Sequence, residues 1–374
     1  MVDVAEISIR EVAAHAGVSM STVSNALNRP ERVSPRSAAR VATAIAELGY
    51  VPNTAARQLR AGRSQAIGMA VMNITNPFFA EVALGAEETA HERGYAVILG
   101  NSYDSVERER RYLELFERQR LDGVLIAPVR GHDAIRRQFE KRGIPVVLID
   151  RADPQDLCSS VSLDDVLGGR MACEHLVASG CREIAFLGGP FVVPQMRDRL
   201  AGCRAAAADA GVGFRLIETD TLNPGLGRHL GAQIADLPVA DRPDGIFAAN
   251  DVLALGVMQS LISHGVRVPE DVGVVGYDDI DFAAASIVPL TSVRQPSYSM
   301  GVAAATLLLD GLQNGDNHRS IRFDPELMVR QSTKAVPPPP SVVTGRARKT
   351  IRTRASATTA AGTPTSEEAH ALRR

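Results

Sequence analysis

Residues 8–63 read SIREVAAHAGVSMSTVSNALNRPERVSPRSAARVATAIAELGYVPNTAARQLRAGR, and this stretch decides the fold of the amino-terminal part of the chain. Ser8 can cap a helix whose apolar residues recur at spacings of three and four. Gly17 follows, where the left-handed conformation of a sharp turn costs least. Ser19 can then cap a second helix, which we expect over residues 20–27. This order predicts a helix-turn-helix unit, completed by a third helix.

The outward face of the second helix is the surface that we expect to read a DNA sequence. It presents Met20, Ser21, Thr22, Ser24 and Asn25. Asparagine suits bidentate contact with adenine, hydroxyl groups bind phosphates or base edges, and a methionine can pack on a thymine methyl. The alternative is a solvated face of an amphipathic helix. The turn glycine and the flanking caps favour contact in the major groove of DNA.

The segment that follows predicts a hinge. Asn53 can cap a short helix, but two isolated helical turns are marginal in water. We therefore expect this segment to be mostly unfolded unless it is held. Leu59, between Arg57 and Arg60, fits an apolar wedge in the minor groove, with the arginines on neighbouring phosphates. An ordinary linker with an incidental leucine is the alternative.

Composition and charge indicate a multidomain globular protein. The 374 residues are 45% hydrophobic and 22% charged, and the net charge is −2. Residues 1–63 carry eight Arg against five acidic residues, and residues 335–374 carry seven basic residues against two acidic ones. The remainder is acidic, so only the ends of the chain are expected to approach a polyanion. The tail, which begins with four prolines at 337–340, predicts disorder.

Several classes of protein are disfavoured by what the sequence lacks. No apolar run approaches the roughly 20 residues of a membrane span, and the amino terminus does not have the order of a signal peptide. We therefore expect a cytoplasmic protein without cofactors. No nucleophile, phosphate-loop or metalloprotease motif is present, so the protein is not expected to be an enzyme. The cysteines have no metal-ligand spacing and are expected to be thiols: Cys158, Cys173, Cys181 and Cys203.

From residue 65 onward, short apolar runs alternate with amphipathic stretches. The runs predict strands at residues 66–72, 96–100, 124–127, 146–149, 184–187, 246–248, 272–276 and 321–323. Helices are expected between them, for example at residues 79–93, 107–118, 167–179, 251–264 and 300–311. This alternation predicts parallel sheets flanked by helices, in two successive sets that break near residues 160–164. Two such lobes leave a cleft at the carboxyl ends of their strands.

Polar and aromatic residues collect where these strands end. They include the stretch 73–79, and Asn101, Asp150, Arg197, Asn250 and Asp278. Acids, an arginine, amides and aromatic rings suit a small polyhydroxylated or polar ligand. Asp and Asn residues after strands are also common helix caps, and for Asp251 capping and ligand contact are both open.

The motifs VAAHAGVSMSTVSNALN, ELGYVPNTAARQL, NPFFAEVALGAEETAHERGY, LDGVLIAP, AANDVLALGVMQSL, VGVVGYDDID and PLTSVRQP follow one another between residues 7 and 333. In kind and order they resemble those of the LacI/GalR family of bacterial transcription regulators. The resemblance implies a homodimer on a near-palindromic operator and a body like that of periplasmic sugar-binding proteins. It also implies base reading by Met20, Ser21 and Asn25, and a minor-groove lever at Leu59.

By the same resemblance, Phe79, Asp150, Arg197, Asn250 and Asp278 fall at positions of the effector pocket. The chain departs from well-known members at Asn25, where an arginine often stands, and at Leu222, near a position often held by a stacking ring. It also has no C-terminal leucine heptad, so nothing predicts association of dimers into tetramers.

The sequence therefore predicts an all-α helix-turn-helix headpiece (1–52), a hinge (53–63), an α/β periplasmic-binding-protein-like body of two parallel-sheet lobes (64–334) and a disordered tail (335–374). We expect the first lobe at about 64–161 and 292–321, and the second at about 162–291 and 322–334. The predicted DNA-binding residues are Ser19, Met20, Ser21, Thr22, Ser24, Asn25, Asn28, Tyr50, Asn53, Ala56, Arg57 and Leu59. The predicted effector-binding residues are Phe78, Phe79, Asn101, Asp150, Arg197, Leu222, Asn250 and Asp278.

The function that we expect is a transcriptional repressor controlled by a small molecule, by default a sugar or sugar derivative. A nucleobase or another metabolite is the alternative effector, and either induction or co-repression is open. A transport-type binding protein would share the body, but the headpiece argues against it.

Overall fold

The computed structural model describes residues 7–50, 64–315 and 318–336. The predicted hinge and almost all of the predicted tail lie outside these ranges. No helix within them is both long and apolar enough to cross a membrane.

The amino-terminal helices begin and end largely where their caps predict. They are α1 (Ile9–Ala16), α2 (Met20–Asn28) and α3 (Pro35–Leu48), with a 3-10 turn at Pro30–Arg32. The main-chain N–H of Ser8 lies 2.7 Å from the Glu11 carboxylate, which caps α1, and Gly17 turns the chain at φ 60°. Their small core consists of Val12, Ala13, Ala16, Val23, Val41 and Ala44.

Two contacts brace α3 against α1 and the turn that follows it. The Arg40 guanidinium donates to the main-chain oxygen of Gly17 at 3.0 Å, and His15 Nε2 lies 2.6 Å from a Glu47 carboxylate oxygen. A three-helix unit of this size buries little apolar surface. These contacts therefore help to fix the turn after α1 and, with it, the orientation of α2.

The first lobe is a six-stranded, all-parallel sheet with helices on its faces. Its strands are β1 (Ala66–Val71), β2 (Ala96–Asn101), β3 (Gly123–Ile126), β4 (Val146–Ile149), β5 (Ser159–Leu163) and β11 (Ser320–Phe323). Their order is β11-β5-β4-β3-β1-β2. The helices are α4 (Pro77–Glu92), α5 (Val106–Arg118), α6 (Asp133–Glu140) and α12 (Ser297–Asn314).

The second lobe repeats this architecture. Its strands are β6 (Glu183–Gly188), β7 (Gly213–Glu218), β8 (Gly245–Ala248), β9 (Gly273–Asp278), β10 (Thr291–Arg294) and β12 (Glu326–Met328). Their order is β12-β10-β9-β8-β6-β7, and only the β10–β12 pair is antiparallel. The helices are α7 (Asp165–Ala178), α8 (Pro194–Ala210), α9 (Pro224–Ala235), α10 (Asp251–Ser263) and α11 (Asp281–Ala285), with a 3-10 turn at Val239–Asp241.

The chain crosses between the lobes after β5, after β10 and after β11. The predicted boundaries, at about 161/162, 291/292 and 321/322, fall two or three residues before the ends of these strands. Strands β5 and β10 were not predicted because several of their buried positions are polar. In β5, for example, Ser160 is buried and its hydroxyl donates to Ser320 of β11 at 3.0 Å.

Glycines allow α4 and α12 of the first lobe to approach closely. A Cβ on Gly85 would lie 2.2 Å from the main-chain oxygen of Tyr298, and one on Gly301 would lie 2.0 Å from that of Val82. A main-chain oxygen cannot move away from an added methyl group as easily as the end of a flexible side chain can. Both glycines are therefore required by this helix pair.

Candidate nucleic-acid interface and ligand cavity

The amino-terminal edge of α2 exposes a set of short polar side chains. Ser19 Oγ accepts the Thr22 main-chain N–H at 3.1 Å and lies 2.7 Å from Ser21 Oγ and 2.8 Å from Thr22 Oγ1. Met20 beside them is 47% exposed. Hydroxyl groups and an apolar tip at the start of a helix match the contacts that a recognition helix makes in the major groove.

Further along α2 the predicted residues differ in their freedom to contact DNA. Ser24 and Asn25 are partly exposed. Asn28 is exposed but donates to the Ser24 main-chain oxygen at 2.8 Å. Tyr50 packs against the headpiece core, so only part of its ring is accessible. The other predicted contacts lie outside the described residues: Asn53, Ala56, Arg57 and Leu59.

Between the lobes lies a cavity of about 80 Å³. Six of the eight predicted effector-binding residues line it: Phe78, Phe79, Asp150, Leu222, Asn250 and Asp278. Asp150 follows β4, Asn250 closely follows β8 and Asp278 ends β9. Carboxyl ends of parallel strands thus converge on the cavity from both sheets, as the sequence predicted.

Amide side chains bridge the lobes at this cavity. Asn76 Nδ2 of the first lobe donates to Asp278 Oδ2 of the second at 2.9 Å. Gln195 Nε2 of the second lobe donates to Asp150 Oδ2 of the first at 3.0 Å. Gln295, in the crossover after β10, donates to Asp278 Oδ1 at 2.8 Å. Asp150 and Asp278 therefore each receive at least one side-chain amide hydrogen bond at the interface between the lobes.

Burial and mutual repulsion make these carboxyl groups weak acids. Burial, followed by the charge of Asp165, raises the pKa of Asp150 to about 8, against the opposing effect of Arg199. Burial raises the pKa of Asp278 to about 6, although Arg199 and hydrogen bonds from Asn76 and Gln295 lower it. Displaced pKa values of this kind are common at binding sites.

Several oxygen atoms of the cavity's lining residues have no protein partner. Asp150 Oδ1, Gln195 Oε1 and Gln295 Oε1 are buried and accept no hydrogen bond from any residue in the described ranges. Buried acceptors are normally satisfied. The two amide oxygens are therefore suited to a ligand with O–H or N–H donors, and the Asp150 carboxyl group, mostly protonated at neutral pH, can itself donate from Oδ1.

Two predicted effector-binding residues lie elsewhere. Arg197 is exposed, and the arginine that lines the cavity is Arg199. Both belong to α8, where residues two apart point to different sides of the helix. Asn101 also does not line the cavity, and its Oδ1 accepts the main-chain N–H groups of Ile74 and Tyr103 at 3.2 and 3.3 Å.

Arg199 is held rigidly in the cavity wall. Its Nε donates to Asp165 Oδ1 at 2.7 Å and its Nη1 to the Ala249 main-chain oxygen at 2.7 Å. The guanidinium carbon lies 3.6 Å from the centroid of the Tyr277 ring. Because these partners already engage it, Arg199 is poorly placed to neutralise an added anion.

For Asp251 the sequence leaves capping and ligand contact open, and the structure gives this residue another role. Its carboxylate accepts the Ser292 hydroxyl at 2.6 Å and the Ile280 N–H at 2.9 Å. Asn250 is the cap of α10, since its Oδ1 accepts the Leu253 N–H at 3.0 Å. Asp251 thus braces β9 and β10 behind the cavity and does not line it.

The hydrogen-bonding residues Asn76, Gln195, Arg199 and Gln295 line the cavity but are not among the predicted effector-binding residues. Asn76 lies within the stretch 73–79 at a strand end, and Gln195 lies two positions before the predicted Arg197. Gln295 directly follows a strand that was not predicted. Arg199 lies inside a helix, where only the fold shows which side faces the cavity.

Comparison with known proteins gives matches over both parts of the chain. Residues 8–53 match the model of bacterial regulatory proteins, lacI family, and residues 173–333 match a periplasmic binding protein-like domain. An HTH-type transcriptional repressor PurR of Photobacterium profundum is 33% identical over 87% of this chain and 98% of its own length. A ribose operon repressor of Escherichia coli is 35% identical over 87% of this chain and 99% of its own.

Solved structures agree with these matches. A lac repressor dimer bound to operator and the anti-inducer ONPF superimposes with a TM-score of 0.76, at 29% identity, over 88% of this chain and 99% of that one. A LacI family regulator of Enterococcus faecium with bound ribose has a TM-score of 0.65, at 29% identity, over 72% of this chain and 98% of that one.

Proposed function

We propose, since the chain belongs to the lacI family of bacterial regulatory proteins, that it is a sequence-specific DNA-binding repressor controlled by a small molecule bound between its lobes. The related proteins are repressors rather than enzymes. A protein whose target is DNA acts in the cytoplasm, which is the location that we propose.

The effector that best fits the cavity is an uncharged polyhydroxylated molecule, such as a sugar. The observation that carries this choice is the set of three buried oxygens without partners, Asp150 Oδ1, Gln195 Oε1 and Gln295 Oε1. Sugar hydroxyls can donate to the two amide oxygens and can accept from the Asp150 carboxyl group, which is mostly protonated at neutral pH. A phosphate or carboxylate ligand would instead meet acidic residues and an arginine already paired with Asp165. The names of a ribose operon repressor and a ribose-bound regulator among the relatives agree with this choice.

We further propose that the protein acts as a homodimer. Strand β2 is the edge strand of the first sheet, and its Ile98 and Leu99 are 38% and 42% exposed. An apolar, unpaired sheet edge is prone to pair with another chain. Two headpieces joined in this way would read two half-sites of a near-palindromic operator.

Control of DNA binding would pass from the cavity to the hinge. The cavity, at about 80 Å³, is well below the roughly 300 Å³ of the smallest typical ligand sites, so a sugar must turn side chains or separate the lobes. A change in lobe angle alters the spacing of two hinges, and with it the free energy of pairing them in the minor groove. Leu59, at the centre of the predicted hinge, is the proposed wedge.

The proposal is tested by selecting bound sequences from random double-stranded DNA and then titrating the selected site at several salt concentrations. We expect a palindromic consensus and an affinity that falls steeply with salt. Thermal-shift screening of sugars, nucleosides and sugar phosphates then identifies the effector. Adding the effector to the DNA complex shows whether it releases the protein or tightens binding.

Leu59→Ala tests the hinge, since it should weaken binding to the selected site with little change in melting temperature. No sequence preference in the selection would contradict the regulatory function. Preference for a phosphorylated or anionic compound in the screen would contradict only the effector class.

A further inference from the structure

The first lobe contains a second cavity, of about 730 Å³, at the amino ends of β3, β4 and β5. It lies at the opposite end of the strands from the ligand cavity. Cys158 and Arg136 belong to its lining. Cys158 belongs to a cluster of three buried side chains whose chemistry the repressor function does not use.

The cluster consists of His132, Asp153 and Cys158, which are 8%, 5% and 3% exposed. One possible ligand atom from each residue lies within 4.8 Å of the other two. His132 Nε2 is 3.3 Å from Asp153 Oδ1, and Cys158 Sγ is 3.4 Å from Asp153 Oδ2. Imidazole, carboxylate and thiolate are the three ligand types of protein zinc sites.

The distances to the two oxygens of Asp153 suit a zinc site. Zn²⁺ binds nitrogen and oxygen at about 2.0–2.2 Å and sulfur at about 2.3 Å, which places neighbouring ligand atoms in a tetrahedral site about 3.3–3.6 Å apart. The His132–Asp153 and Cys158–Asp153 distances fall in this range, and the ligand atoms of His132 and Cys158 lie within 4.8 Å of each other.

Asp153 is fixed in place before any ion arrives. Its carboxylate accepts the main-chain N–H groups of Gln155, Leu157 and Cys158 at 3.1, 2.8 and 3.0 Å. These hydrogen bonds hold the carboxylate in one orientation, as outer partners do for carboxylates that bind metals.

The main-chain hydrogen bonds of the loop account for the burial of Asp153, but they do not account for the burial of His132. His132 Nδ1 is buried and contacts no donor or acceptor among residues 7–50, 64–315 and 318–336. Because Nδ1 has no partner, the ring proton can lie on Nδ1 and leave the lone pair of Nε2, the nitrogen that faces Asp153, for an ion. Imidazole nitrogens are common metal ligands.

We propose that His132, Asp153 and Cys158 bind one divalent ion of the zinc type, with water from the adjoining cavity as fourth ligand. As the metal–sulfur bond forms, the Cys158 thiol releases its proton to solvent. The bound ion would join the start of α6 to the loop between β4 and β5, and so brace one wall of the second cavity. The ligands are separated by 21 and 5 positions in the sequence, which matches no metal motif.

The test uses the full-length protein, first stripped of metal with a chelator. Zn²⁺ is titrated against a competing chromophoric chelator, and Co²⁺ is titrated separately, because a cobalt–thiolate bond produces a charge-transfer absorption in the near ultraviolet. We expect one tight equivalent of Zn²⁺ per chain, a thiolate band with Co²⁺, and a higher melting temperature when zinc is bound.

The variants are Cys158→Ser and His132→Gln, with Cys181→Ser as the matched control, since Cys181 is another buried cysteine of this chain. The first two should weaken Zn²⁺ binding by more than about tenfold. Tenfold is the threshold because losses of residues that only orient a metal ligand begin at about that size. The control should bind as the unaltered protein does.

The Co²⁺ titration of the unaltered protein requires no variant, so it remains decisive if a substitution prevents folding. Absence of the thiolate band there would overturn the proposal. A band that survives Cys158→Ser would also overturn it, because the thiolate would then belong to another site.

Discussion

The amide of Asn76 and the carboxylate of Asp278 lie on different lobes, and a 2.9 Å hydrogen bond between them joins the lobes at the cavity wall. The same carboxylate accepts Gln295 at 2.8 Å. Any ligand that competes for Asp278 therefore also competes with a contact that sets the spacing of the lobes. This relationship connects occupancy of the cavity with the spacing of the lobes.

Asp278→Ala should abolish the response to the effector and leave binding to DNA intact. Loss of a hydrogen bond to a charged group weakens ligand affinity by about 10- to 100-fold. Calorimetry with the effector and a gel-shift titration with DNA measure the two properties separately. Undiminished ligand affinity in the variant would show that the effector binds elsewhere.

Arg199 and Arg197 provide a matched pair on one helix. Arg199→Ala leaves Asp165 buried without its ion-pair partner, so the free energy of unfolding should fall by about 3–5 kcal/mol. Arg197→Ala alters an exposed side chain and should change stability by less than about 0.5 kcal/mol. Urea denaturation measures both, and equal effects would contradict the assignment of Arg199 to the cavity wall.

Stability should fall as the pH rises from about 4 to about 8. The folded-state pKa of Asp150 is about 8, and its value in the unfolded chain is about 3.9. Between these values the folded state binds more protons than the unfolded state, so raising the pH favours unfolding. Asp150→Asn should flatten this dependence and raise the melting temperature near pH 8. A variant whose pH profile matches that of the unaltered protein would rule out this cause.

Asn25→Ala should weaken binding to the selected DNA site by about 1–3 kcal/mol, the contribution of a good base contact. Its side chain is partly exposed on α2, so melting of the protein should hardly change. Thr43→Ala, at an exposed position of α3, is the control. If both variants bind the site equally well, Asn25 does not read bases.

Gly301→Ala should destabilise the first lobe by about 1–3 kcal/mol, because the added methyl group meets the main-chain oxygen of Val82. Gly131→Ala is the control, since a Cβ there meets no atom within 4 Å. Thermal melts of the two variants compare them directly. Similar melting temperatures would mean that α4 and α12 can move apart at no cost.

Much of the fold could be predicted from local patterns. The caps at Ser8 and Ser19 and the turn at Gly17 placed the headpiece helices correctly, because the conformation of a turn depends on a few adjacent residues. Strands rich in apolar residues, such as β4, were also predicted. Strand β5 was missed because its buried serines are satisfied by partners distant in sequence.

The sequence by itself determined a helix-turn-helix headpiece on a two-lobed α/β body, and it placed six predicted residues at the cavity through one rule, that parallel strands end together. Only the tertiary structure decided which arginine of α8 lines the cavity, which amides join the lobes, and that His132, Asp153 and Cys158 meet. These are distances between separate elements, and they depend on how helices and sheets pack. A local pattern of residue types shows whether a segment is a helix or a strand. It does not show how that element is rotated against the elements on which it packs.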